Sequence, residues 1–139
     1  MSEEAKKKLK DLAKQVREKV STTGIAVLHQ RGLELMEEIA KELSGPDSMP
    51  GLRVLRDSQT KIRLQRPMRN AEITIEWQRE IGALSMTSEK HGEPKRLVRY
   101  VHEEAGNRWR RLDLGADASG ELWEDITAAL IEYLYPEGK

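Results

Sequence analysis

Between Met49 and Leu52 the spacing of apolar residues changes from three-and-four to two, and this change limits what the chain can fold into. Upstream, Ala5, Leu9, Leu12, Ala13, Val16 and Val20 fall on one helical stripe. Ser2 is placed to cap that helix, and Glu3 and Glu4 lie beside the positive end of its dipole. Ser21-Thr22-Thr23-Gly24 predicts a break, because Gly is costly inside a helix and Ser and Thr compete for backbone partners. A second stripe runs through Ile25, Leu28, Gly32, Leu35, Met36, Ile39, Ala40 and Leu43 and stops at Ser44-Gly45-Pro46, which predicts a helix over about 25–43.

Downstream the period is two. Leu52–Arg56, Thr60–Arg66, Ala71–Gln78, Ala83–Thr87, Arg96–His102 and Arg108–Leu114 read as strands, separated by turn residues such as Asp57-Ser58, Pro67, Asn70, Gly82, Gly92 and Gly106-Asn107. A last helix carries Leu122, Ile126, Ala129, Leu130, Tyr133 and Leu134 on one face, with Ser119 or Asp117 as its expected cap and Pro136 as its stop. Short connections favour antiparallel neighbours. The expected architecture is an α+β two-layer sandwich: a meandering antiparallel sheet of five to six strands, with two N-terminal helices and one C-terminal helix. All three helices should cover one face, met by Ile62, Leu64, Ile73, Ile75, Leu84 and Met86, and the charged residues between these should face water.

At 139 residues the chain is sized for one domain, 1–139, able to bury a core unaided. It lacks cysteine, which excludes disulfides, thiolate metal sites and cysteine nucleophiles. No apolar run reaches the ~18 residues a membrane span needs, and no secretory signal is recognisable, so the expected compartment is the cytoplasm. The order of elements is similar to that of several small α+β sandwiches, among them frataxin-like proteins and chaperones of type III secretion systems. That likeness is one of layout, and no residue is carried across from it.

Lysine plus arginine and aspartate plus glutamate number 24 each, but the charge is unevenly spread: zero over residues 1–50, +6 over 51–111 and −6 over 112–139. The basic excess sits on strands. Lys61, Arg63, Arg99, Arg108, Trp109, Arg110 and Arg111 form the candidate binding surface, since Arg and Trp anchor interfaces and could also meet phosphates and bases, although Arg108-Trp109-Arg110-Arg111 reads first as a strand whose Trp109 packs inward beneath Arg stems. Trp77 and Tyr100 mark a candidate cavity between sheet and helices. His29, His91 and His102 have no local metal spacing, and the helix-two acids Glu34, Glu37, Glu38 and Glu42 lack a Glu-x-x-His companion. No phosphate loop, dinucleotide fingerprint or nucleophile elbow is present.

With no catalytic, cofactor-binding or metal-ligating residue to name, the chain reads as a small non-catalytic protein-binding or adaptor module. A homodimer is expected, with a protein partner in preference to nucleic acid, no membrane and no cofactor. Nucleic-acid binding through a basic sheet face, and a ligand-binding protein or enzyme built on the cavity, are the alternatives.

Overall fold

The computed structural model describes residues 2–19, 22–45, 48–103, 108–112 and 122–138, with the backbone alone at 15–19 and 22–25. Two helices open the chain, α1 (Glu3–Lys19) and α2 (Thr22–Ser44). Six strands follow: β1 (Arg53–Ser58), β2 (Lys61–Gln65), β3 (Ala71–Gln78), β4 (Ala83–Lys90), β5 (Arg96–Glu103) and β6 (Arg108–Arg111). Helix α3 (Leu122–Ala129) continues into a π-helical turn, Leu130–Leu134. The sheet is antiparallel throughout, with its strands in chain order.

Ser2 caps α1 as expected, its Oγ accepting the Ala5 amide at 3.2 Å. Helix α2 begins at Thr22, three residues before its apolar stripe, and runs through Gly24, so Thr22, Thr23 and Gly24 of the expected break are helical, while Ser21 lies outside the described residues. The expected caps Ser119 and Asp117 lie outside the described residues, as do residues 113 and 114 of the expected sixth strand.

Alternation becomes burial because successive strand side chains point to opposite faces. Ile62, Ile75, Met86 and Val98 line up across β2 to β5 on the inner face, with Leu64 beside Ile73 and Trp77 beside Leu84. All eight are buried, and each fully buried aliphatic side chain contributes about 1.5–3 kcal/mol. Helix α2 covers β1 to β3 with Leu35, Met36 and Ile39, while α3 and its π-turn reach β3, β4 and β6 with Leu122, Ile126, Leu130 and Leu134.

Two helices, and not three, form the described cover. Leu9 and Leu12 of α1 are 60% and 56% exposed. Strand spacing gives the reason: six strands at ~4.8 Å make a layer ~24 Å wide. Two helices, each ~10–12 Å across, already span that width.

The layers approach closely at Gly32, where α2 crosses the Trp77 indole. Trp77 Nε1–H donates to His29 Nδ1 at 2.9 Å, and the ring meets Trp109 edge-on at 5.7 Å. At the opposite corner the π-turn closes with the Tyr135 amide donating to the Leu130 carbonyl at 2.7 Å. Its wider turn lets three successive residues, Tyr133, Leu134 and Tyr135, all be buried. Tyr135 Oη–H then donates to the Pro50 carbonyl at 2.7 Å, beneath the Arg66 guanidinium.

Candidate functional site

The register divides the strand basics between two faces. Lys61 lies opposite Glu76, Arg63 opposite Thr74, Arg99 opposite Ser85 and Arg110 opposite Val101, all on the solvent face, which Arg108 shares by alternation with Arg110. Trp109 pairs with His102, and Arg111 with the buried Tyr100, so these two belong to the helix-covered face. The residues read as one surface are therefore two groups.

Nearby acids engage much of the solvent-face charge. Arg63 grips Asp57 with Nε at 2.6 Å and Nη2 at 3.1 Å, and lies 3.6 Å from Glu72. That hydrogen-bonded guanidinium holds the Asp57 carboxyl below its usual range. Glu103 takes Arg110 at 2.7 Å and Arg108 at 3.6 Å. Opposite charges paired in this way are ordinary furnishing of a wet sheet face.

Trp77 is packed on Gly32 and held by His29, while Tyr100 Oη–H donates to Asp125 Oδ2 at 2.7 Å. Arg111 Nη1 stands 3.7 Å from the other Asp125 oxygen, and Arg96 meets Glu132 at 3.3 Å. Between Arg96, Arg111, Asp125 and Glu132 lies a cavity of ≈ 50 Å³, bounded also by Ser88 and Tyr133 but not lined by Trp77 or Tyr100, a space of water size. The seam pins α3 to the sheet and leaves little room for a substrate.

A larger concave feature lies where the β2–β3 and β4–β5 turns meet, a cleft of ≈ 550 Å³ lined by both turns and by Arg53 of the edge strand. The turns are alike. In the first, the Arg69 amide donates to the Arg66 carbonyl at 3.2 Å with Met68 at φ +70°; in the second, the Glu93 amide donates to the Lys90 carbonyl at 3.1 Å with Gly92 at φ +81°. Both need a left-handed third residue, which glycine adopts freely and methionine does at a cost of about 1–2 kcal/mol. Met68 has no packing in return, since its side chain is fully exposed. A further bond, His91 amide to Asn70 carbonyl at 3.0 Å, ties the turns side by side.

The cleft was not foreseen from the sequence. Its residues lie in connections, which have no period, and only the register brings Arg53, Gln65, Glu72 and Glu89 into one row. The signal available was local: Arg66-Pro67-Met68-Arg69 puts a non-glycine residue after Pro in a basic turn. Among the described residues no group of three or more His, Asp or Glu side chains is placed to hold a metal ion, and no helix is long and apolar enough to cross a membrane. No family model matches the chain, and neither a curated protein nor a solved structure does.

Proposed function

We propose that the protein is a non-catalytic binding module that acts as a homodimer, with α1 of each copy docking on the other. The observation that carries this reading is the exposure of Leu9 and Leu12 on an amphipathic helix, above a sheet already covered by α2 and α3. Apolar side chains repeated on one helical stripe and left in water favour association, at about 25 cal/mol for each Å² they bury.

Charge complementarity supports a second copy as the occupant. Residues 3–19 carry seven basic and four acidic side chains, whereas residues 112–139 are strongly acidic. On α3 and its π-turn, Glu124 and Ala128 are exposed and Ile131 and Glu132 half-buried, at spacings that set small apolar groups between acids. Leu9 and Leu12 would lie on Ala128 and Ile131, with the flanking lysines meeting Glu124. Exchange of α1 between two copies gives a closed, two-fold pair. Binding of nucleic acid through the solvent face of the sheet has less support, because Arg63, Arg108 and Arg110 are engaged by Asp57, Glu72 and Glu103.

Sedimentation equilibrium at micromolar concentration tests the reading. The wild type should sediment as two chains. Leu9→Glu with Leu12→Glu, and separately Glu124→Lys, should shift it to one chain with little change in thermal midpoint. A wild type that stays a single chain at the highest soluble concentration, or a double variant that still pairs, overturns it.

A further inference from the structure

We propose that the cleft between the β2–β3 and β4–β5 turns binds a small phosphate ester that also carries hydroxyl or amino donors. Two guanidinium groups motivate this. Arg53 and Arg69 line the cleft; among the described residues neither makes a salt bridge or side-chain hydrogen bond, although Arg69 is near enough to Glu137 to help lower its carboxyl. Lys90 borders the cleft from the helix-covered face, where its ammonium stands over the Tyr133 ring at 5.2 Å. Planar guanidinium donors match phosphate oxygens two at a time.

The cleft's acids are Glu72, Glu89 and, on the β4–β5 turn, Glu93; the first two define the rest of the ligand. Glu72 and Glu89 stand directly opposite one another in the β3–β4 register, an arrangement of like charges that weakens a sheet unless something intervenes. Part of each is answered: Gln65 Nε2 donates to Glu72 Oε2 at 3.2 Å with Arg63 behind it, and Lys95 reaches Glu89 at 3.7 Å. A monoanion would gain little from a lining that holds both signs. A doubly charged phosphate placed at the arginines, with donors turned toward the two carboxylates, meets both. The volume of ≈ 550 Å³ suits a ligand of sugar-phosphate or nucleotide size.

Met68 fits this arrangement. Left-handed backbone at the turn's third position fixes how Arg69 leaves the turn, and strain of this kind concentrates where a binding geometry is held ready.

Titration followed by amide chemical shifts tests the proposal, with glucose 6-phosphate, inorganic pyrophosphate, glucose and a single-stranded oligonucleotide as probes. Glucose 6-phosphate should move the amides of residues 68–70 and 91–95 with submillimolar affinity. Pyrophosphate should bind more weakly and glucose not at all. Arg53→Gln with Arg69→Gln should weaken glucose 6-phosphate roughly tenfold for each guanidinium removed, with the remaining spectrum unchanged. Met68→Gly, which keeps the turn while freeing it, should weaken it by a smaller factor. Absence of shifts at millimolar glucose 6-phosphate, equal binding by the double variant, or tighter binding of the oligonucleotide by these same residues would overturn the proposal. None of these results bears on whether α1 pairs two copies.

Discussion

Replacing Gly32 by alanine should destabilise the protein, although alanine is the better helix former by about 1 kcal/mol. A Cβ built at this position enters the Trp77 indole, with ring carbon Cε3 only 2.7 Å away. The ring has little freedom to retreat: His29 holds its Nε1–H at 2.9 Å, and Trp109 stands against it at 5.7 Å and 85°. Overpacking of a rigid core costs about 1–3 kcal/mol, and contact with several ring atoms argues for the upper end. After the propensity gain the net loss is about 2 kcal/mol. For a domain of this size that lowers the thermal midpoint by roughly 6–10 °C. Thermal unfolding followed by circular dichroism reads this directly, and denaturant titration checks that the slope is unchanged. In a Trp77→Leu background the same change should be neutral or stabilising, a coupling of about 2–3 kcal/mol. A Gly32→Ala protein that melts at or above the wild type would refute the claim that α2 rests on the indole through the missing side chain.

Tyr100→Phe removes the 2.7 Å bond to Asp125 and leaves that carboxylate with Arg111 at 3.7 Å, so stability should fall by about 2 kcal/mol, measured by urea titration. Acid should weaken the fold through three surface carboxyls held below their ordinary values: Glu37 by Arg56, Asp57 by Arg63, and Glu137 by its own backbone amide together with Arg66. Because the folded values are the lower ones, their contribution is complete above the unfolded values near 3.8 and 4.5 and is lost as pH falls through the folded ones. Calorimetry across that range should show a midpoint flat near neutrality and falling below about pH 4, with a shallower fall in Arg63→Gln; an equally steep fall in the variant would show that Asp57 takes no part.

The sheet was legible because its inner residues are aliphatic and its outer ones ionic, so phase and burial coincide at Ile62, Leu64, Ile73, Ile75, Leu84 and Met86. Arg108-Trp109-Arg110-Arg111 was legible in part: Trp109 packs inward as read, while the sides taken by the arginines were not fixed by the pattern. All four side chains are long and amphipathic, and only pairing with Tyr100 and His102 fixes which of the arginines turns inward. Burial of Tyr135 was hidden because a period of 3.6 places it off the stripe, and the π-turn brings it back. The apolar stripe of α1 was legible, but the exposure of Leu9 and Leu12 was not, since coverage depends on how wide the sheet grows. The cleft depends on two turns that register alone sets side by side.

Strand order that follows chain order has a kinetic consequence. Each of the first four hairpins closes over a handful of residues, so the pairings need no distant segment and each can form as soon as its second strand exists. The helix that seals β4 to β6 is made after all of them. During synthesis, Met86, Val98 and Tyr100 would remain bare until residues 122–135 emerge, and in that interval an incomplete chain offers a greasy, half-finished layer to chaperones or to aggregation.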